Sequence, residues 1–133
     1  MIILTNSASQ EVAPGQSLIF DTEILKTGCA ECHRTGSGTV MLRMRKAIYE
    51  IKFSANIGAT APGAAQVAID INGDPLSETT MISTTAAAGN VNNVSSDTAV
   101  RTCCFGTETV TIENLGETTI VVENPLWFIK RIA

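Results

Sequence analysis

The chain has 133 residues, of which 44% are hydrophobic and 17% are charged, and its formal net charge is −4 at pH 7. This length corresponds to one domain with a sizeable core, and this composition excludes a disordered chain. The longest basic run, Arg43-Met44-Arg45-Lys46, is too short for a phosphate-neutralising surface, so we expect no nucleic-acid partner. Met1–Asn6 lacks a basic n-region and has only a short apolar run, which predicts neither a signal peptide nor a membrane span.

The first part of the chain predicts strands joined by turns. Ile2–Thr5 is typical of a short strand. The polar residues that follow, up to Gln16, are typical of a loop. We therefore expect residues 1–16 to be a strand and loop that could anchor the terminus, with a single domain over 17–133. Ser17–Leu25 and Thr39–Met44 predict two further strands, separated by the turn-rich segment Gly28–Gly38.

The stretch from Ala47 to Gly73 has the strongest pattern. Apolar residues take every second position over Tyr49–Ile57, and Val67–Ile71 repeats that period of two. Asn72-Gly73 then predicts a tight turn, because both residue types tolerate a positive φ. We expect two long strands, with the Tyr49–Ile57 face in the protomer core and the opposite face, which holds Ile48, Glu50 and Lys52, near a neighbouring subunit.

The remaining chain predicts four more strand regions. Together they bring the expected total to eight to ten short strands, which favours an antiparallel sandwich with the jelly roll as the leading option. Their bounds in the sequence are Leu76–Ala88, Val91–Phe105, Thr107–Asn114 and Thr119–Ala133, the last with a bend at Asn124-Pro125.

The last of these strands has large apolar residues on both faces. One face holds Leu126, Phe128 and Ile132, and the other holds Trp127 and Ile129 with a charged residue, Arg131. A strand with one core face needs only one apolar set. The second set therefore predicts burial against another subunit.

Five segments, taken in order, resemble a known family. They are H-R-T-G-S-G-T-V-M-L (His33–Leu42), A-I-Y-E-I-K-F-S-A-N-I (Ala47–Ile57), V-A-I-D-I-N-G-D-P-L (Val67–Leu76), E-T-V-T-I-E-N-L-G (Glu108–Gly116) and the terminal L-W-F-I-K-R-I. In this order the chain resembles the trimeric jelly rolls of the tumour-necrosis-factor and complement globular-head type. It is most similar to their bacterial and phage relatives, such as the C-terminal domains of spore-surface collagen-like proteins. It departs from them at Lys46-Ala47-Ile48, where a glycine usually precedes the tyrosine strand, and in having no collagen stalk.

This resemblance implies an all-β, antiparallel jelly-roll β-sandwich that forms a homotrimer around a threefold axis. With the two-sided last strand, it assigns the trimer interface to Tyr49, Trp127, Phe128, Ile129 and Ile132. Most members of the family bind or decorate surfaces and do not catalyse reactions, so we expect no enzyme activity and no cofactor.

The same resemblance favours a virion structural protein, such as a capsid decoration or head-fibre protein of a phage or prophage, made in the bacterial cytoplasm. Its partners would be capsid or other virion proteins, with a host-surface ligand as a further option. We expect no membrane partner. The alternative is a receptor- or glycan-binding module on a cell or spore surface. That alternative predicts a site in the loops at Ala59–Gly63 or Met81–Asn93, which hold few aromatic residues for sugar stacking.

The cysteines and the single histidine allow several interpretations. Cys29, Cys32 and His33 match the C-x-x-C-H haem pattern, but haem attachment needs export and a distal ligand. The same residues with Cys103 or Cys104 could bind zinc, or the two clusters could form a disulfide. A cysteine nucleophile paired with His33 lacks an oxyanion element. We expect reduced thiols in small buried or half-buried sites, with no metal and no catalytic residue.

Two groups of charged residues complete the candidates. Asp70, Asp74 and Glu78 surround the Asn72-Gly73 turn, but their spacing is not that of a calcium loop. The basic run at residues 43–46 could contact an acidic partner or pair with Glu50 across strands. We expect both groups to be solvated.

Overall fold

The computed structural model describes residues 1–103 and 107–133. In this part of the chain it contains twelve strands and one short 3-10 helix at Ser77–Thr79, and no helix is long and apolar enough to cross a bilayer. The strands are β1 (Ile2–Thr5), β2 (Gln10–Val12), β3 (Thr22–Lys26), β4 (Glu31–His33), β5 (Val40–Leu42), β6 (Ile48–Ala59), β7 (Gly63–Ile71), β8 (Asp74–Pro75), β9 (Met81–Thr85), β10 (Asn92–Arg101), β11 (Glu108–Asn114) and β12 (Ile120–Arg131).

The strands form two antiparallel sheets packed face to face. Sheet A has the order β10-β6-β12-β1-β3, with β2 paired to the other end of β12. Sheet B has the order β4-β5-β11-β7-β8, with β9 paired to β7. The expected all-β antiparallel sandwich is therefore confirmed. Chain neighbours often lie in different sheets, as β5 and β6 do, so the sandwich is built by crossing connections.

The alternation in β6 places one face of this strand in the core, as expected. Tyr49, Ile51, Phe53, Ala55 and Ile57 are all 1% exposed or less. They pack against the inward residues of sheet B, and each large side chain buried in this way contributes about 1.5–3 kcal/mol. The inward residues of sheet B are Val40, Leu42, Ala65, Val67, Ile69, Val110 and Ile112.

The turn after β7 also has the expected geometry. Asn72 and Gly73 have φ values of 55° and 84°. Two consecutive positive φ angles are typical of the tight turn that suits the twist of paired strands. The turn is held further by the Asn72 side chain, whose Oδ1 accepts a hydrogen bond of 2.8 Å from the Thr109 backbone N–H.

The N-terminal segment contributes a strand to the sandwich. β1 lies inside sheet A, between β12 and β3, and Ile2 and Leu4 are fully buried. The boundary expected at residue 16 is therefore not a structural boundary. The strand expected at Ser17–Leu25 starts later, at Thr22. Leu18 and Phe20 lie in the loop before it, with their side chains buried in the core. Their backbone N–H groups donate hydrogen bonds to the carbonyl oxygens of Ile112 and Ser37.

A bulge divides β12 into two halves with opposite parity. Glu123 pairs with Asn56 and Leu126 pairs with Ser54, so Asn124 and Pro125 together oppose one residue of β6. Asn124 has a φ of 52°. A two-against-one bulge shifts the side-chain alternation by one position. Before the bulge the even-numbered residues Ile120 and Val122 point into the core, and after it the odd-numbered residues Trp127 and Ile129 do.

Candidate functional site

The outer face of sheet A, which points away from the core, carries a continuous row of side chains across five strands. Direct cross-strand partners link Leu25 on β3, Ile3 on β1, Phe128 on β12, Lys52 on β6 and Asp97 on β10. Because directly opposite residues point to the same face, these five side chains form one band perpendicular to the strands. We call this band the outer row.

One half of the outer row is apolar and accessible to solvent. Leu25 is 41% exposed, and Ile3 and Phe128 are half-buried. Leu126, one step along the same face of β12, is 44% exposed. Exposed apolar side chains grouped in this way make this sheet face a candidate interaction surface.

The other half of the outer row is charged. Lys52 Nζ lies 3.7 Å from Glu50 Oε1 and 5.7 Å from the centroid of the Phe128 ring, in reach of a cation–π contact. Between the two halves is an open groove of about 530 Å³. Its floor and walls are Lys52, Phe53, Ser54, Ser95, Ser96, Asp97, Leu126 and Phe128.

The structure divides the five residues assigned to a trimer interface. Tyr49, Trp127 and Ile129 are fully buried inside the protomer, which corrects the expectation that they contact a neighbouring subunit. Tyr49 lies on the inward face of β6, and the bulge turns Trp127 and Ile129 inward. Phe128 lies in the outer row, and Ile132 is 52% exposed just beyond the end of β12.

Ile3 and Leu25 are members of this face that the sequence pattern does not predict. A local signal exists, because Ile2, Ile3 and Leu4 are three consecutive apolar residues in one strand, so both faces of β1 are apolar. Their place in the row, however, depends on β1 lying between β12 and β3, which no local pattern encodes.

The cysteine and histidine candidates within the described residues do not come together as one site. Cys29 is exposed and Cys32 half-buried, and both are unpaired thiols. His33 points into the core, because adjacent residues of β4 alternate between faces and Cys32 points outward. Cys103 is exposed, and Cys104 lies outside the described residues. Among the described residues, no group of three or more His, Cys, Asp or Glu side chains converges as a metal site.

His33 instead lies between the edges of the two sheets. Its Nε2 is 2.8 Å from the Ser37 carbonyl oxygen, and its Nδ1 is 4.0 Å from Glu23 Oε2 on β3. A carbonyl oxygen only accepts hydrogen bonds, so Nε2 carries the proton in this geometry. The side chain therefore has a structural contact of the kind expected for a histidine at a strand end.

A carboxyl pair on sheet B was not expected from the sequence. Asp70 is 2% exposed and forms a side-chain hydrogen bond with Glu113. This hydrogen bond, together with burial and the charge of Asp70, raises the pKa of Glu113 to about 7. The expectation that Asp70 is solvated is therefore wrong, whereas Asp74 and Glu78 are exposed as expected.

Comparison with known proteins identifies the fold. The globular domain of zebrafish complement 1qA protein superposes with a TM-score of 0.66 at 11% identity, over 96% of this chain and 94% of that domain. Murine APRIL superposes with a TM-score of 0.69 at 12% identity, over 97% and 96% of the two chains. No protein-family model and no curated protein sequence matches the chain.

Both solved structures match along almost their whole length, so the likeness concerns the complete domain. At this level of identity the likeness establishes the fold alone. It confirms the jelly roll expected from the order of the strands. The protein has the jelly-roll fold of the tumour-necrosis-factor and complement globular-head domains.

Proposed function

We propose that the protein is a non-enzymatic homotrimer in which the outer faces of sheet A from three copies pack around a threefold axis. The observation that carries this proposal is the outer row, with its exposed apolar side chains Leu25 and Leu126 beside Phe128. The resemblance to trimeric jelly rolls supports the same face.

Burial of this face in an assembly is energetically favourable. A monomer leaves the apolar half of the outer row in contact with water. Covering apolar surface contributes roughly 25 cal/mol for each Å² removed from water. A symmetric assembly multiplies that contribution, because every copy supplies the same patch.

A change of Phe128 to Asp tests this assignment of the interface. It would place a carboxylate inside the proposed interface, and removing such a charge from water costs several kcal/mol, which the neighbouring Lys52 offsets only in part. We expect light scattering after size-exclusion chromatography to give a monomer mass for Phe128→Asp and a trimer mass for the unchanged protein.

Ile82→Asp is the matched control. Ile82 is 57% exposed on β9 of sheet B, outside the outer row, and the variant introduces the same aspartate in place of a large apolar side chain. It should remain trimeric. Circular dichroism checks that both variants fold. A folded Phe128→Asp variant that keeps the unchanged mass, or dissociation of both variants alike, would refute the assignment of this face.

We further propose that the trimer is a structural component of a particle surface, such as a capsid decoration or head-fibre protein. The resemblance to phage and bacterial relatives supports this role. Mass spectrometry of purified particles from the cells that encode the gene tests it. We expect the chain at a fixed ratio to the major coat protein, and its absence from such particles would contradict the role.

A further inference from the structure

The positive charges of this acidic protein are concentrated at one end of the sandwich. The formal net charge is −4, with nine Lys and Arg side chains against thirteen Asp and Glu. More than half of the nine lie in the β5–β6 connection or at the neighbouring ends of β10 and β12. We call this group the basic end; its residues are Arg43, Arg45, Lys46, Arg101 and Arg131.

Backbone contacts of the β5–β6 connection hold the basic end together. The Thr102 N–H donates to the Ala47 carbonyl at 2.8 Å, and the Lys46 N–H donates to the Cys103 carbonyl at 3.4 Å. The Thr102 hydroxyl donates to the Met44 carbonyl at 2.6 Å. The end of β10 is thus fixed against the connection that carries most of the basic residues.

The same connection is fixed to β12 through the start of β6. Arg101 pairs with Ile48 on one side of β6, and Arg131 pairs with Tyr49 on the other. The Met44 N–H donates to Tyr49 Oη at 3.3 Å, and Oη donates to the Ala30 carbonyl at 3.2 Å. Ile48 is on the outer face of sheet A and Tyr49 on its core face, so Arg101 and Arg131 reach this end of the sandwich from opposite faces of the sheet. The five cations therefore share one end of the sandwich.

These cations are exposed and have no carboxylate partner within the described chain. Within residues 1–103 and 107–133, one lysine or arginine side chain lies within 4 Å of a carboxylate. It is Lys52, which pairs with Glu50 outside the basic end. The nearby Glu31 is 1% exposed and binds the Met1 ammonium at 2.8 Å and the Arg131 backbone N–H at 3.1 Å. Glu31 therefore leaves the guanidinium groups of Arg43, Arg45 and Arg101 available to a partner, whereas Arg131 Nε donates a hydrogen bond to the Ala133 carbonyl oxygen at 3.1 Å.

We propose that the basic end is a binding surface for a carboxylate-rich patch on a partner protein. Four of its five cations are arginines, whose planar groups bind carboxylates with two parallel hydrogen bonds. Exposed apolar side chains lie among them, Met44 at 38% and Ile132 at 52% exposure. Arginine and methionine are enriched in protein–protein interfaces, where lysine is depleted.

A protein partner accounts for these features better than a glycan does. Sugar-binding surfaces use exposed aromatic rings, and in the described residues the ring at this end, Tyr49, is fully buried. The inference deepens the proposed function, because a trimer would present three basic ends at the same time and raise the apparent affinity by avidity.

Binding to immobilised poly-L-glutamate tests the inference, with heparin and vesicles containing phosphatidylserine as parallel probes. We expect saturable binding to poly-L-glutamate that weakens with added salt. Arg43→Glu should weaken this binding about fivefold or more, since each exposed ionic contact contributes up to about 1 kcal/mol and the change reverses the charge.

Arg34→Glu is the matched control, because it makes the same change in net charge at an exposed arginine outside the basic end. It should alter the binding less than twofold. An equal loss in both variants, or no binding to poly-L-glutamate, would overturn the inference. Binding to heparin or vesicles alone would overturn the assignment of a protein partner.

The outcome can be separated from the test of the trimer. The monomeric Phe128→Asp variant keeps all five cations of the basic end, so its single-site binding should persist while the avidity is lost. If the protein is a trimer but does not bind poly-L-glutamate, only the inference about the basic end is contradicted. If the unchanged protein is a monomer that binds poly-L-glutamate, only the proposed assembly is contradicted.

Discussion

At the scale of single residues, the hydrogen-bonded carboxyls of Asp70 and Glu113 make stability depend on pH. The pKa of Glu113 is raised to about 7 in the folded protein, from 4.5 for an unperturbed side chain. The folded state therefore binds more protons than the unfolded state between these two values. The stabilisation is fully present below about pH 4.5 and is lost as the pH rises through about 7.

Glu113→Gln tests this pair, because glutamine keeps a hydrogen-bond donor for Asp70 and cannot ionise. We expect the variant to be more stable than the unchanged protein at pH 8, by on the order of 1–3 kcal/mol, with little difference at pH 4.5. Urea denaturation at several pH values measures this difference. Glu117→Gln, on an exposed hairpin residue, should follow the unchanged protein. Parallel curves for Glu113→Gln and the unchanged protein would show that the pair is not coupled to folding.

At the scale of elements, the bulge in β12 decides which apolar residues form the core and which form the outer row. Asn124 adopts a φ of 52° there, and its Oδ1 accepts a hydrogen bond from Asn56 at 3.4 Å. Asparagine tolerates this left-handed backbone, whereas a β-branched residue does so at a cost of about 1–2 kcal/mol.

Asn124→Val should therefore lower the free energy of unfolding by about 1–2 kcal/mol, and Asn124→Gly by less than about 0.5 kcal/mol. Chemical denaturation of both variants gives the two values. If valine were as stable as asparagine, the backbone at this position could not be left-handed in solution.

The bulge also explains where prediction from the sequence succeeds and where it fails. The alternation of Tyr49–Ile57 predicts β6 and its core face because one parity is apolar and the other polar. The segment Leu126–Ile132 is apolar on both parities, so periodicity cannot say which set is buried. Which set is buried depends on one inserted residue at Asn124-Pro125, and the alternation of apolar residues does not reveal this insertion.

The candidate site was predictable only in part for a related reason. Phe128 was identified because it lies in a strand with two apolar faces. Ile3 and Leu25 join it through strand pairing between distant parts of the chain. Such pairing follows from the jelly-roll connections, which the order of the family-like segments indicates and the local residues do not.

At the scale of the whole molecule, the two proposed contact surfaces have different chemistry. The outer row is apolar at one side and charged at the other, on the face of sheet A. The basic end lies at the ends of the strands, on a protein whose net charge is negative. A homotrimer that buries the first surface leaves the cations of the β5–β6 connection exposed for a different partner.

The most direct test of the proposed trimer is the mass of the unmodified protein in solution. One chain has a mass of 14.0 kDa. Sedimentation equilibrium at several low protein concentrations should give three times this mass, with no change on dilution through the micromolar range. A mass of 14.0 kDa for the folded protein under these conditions would contradict the account.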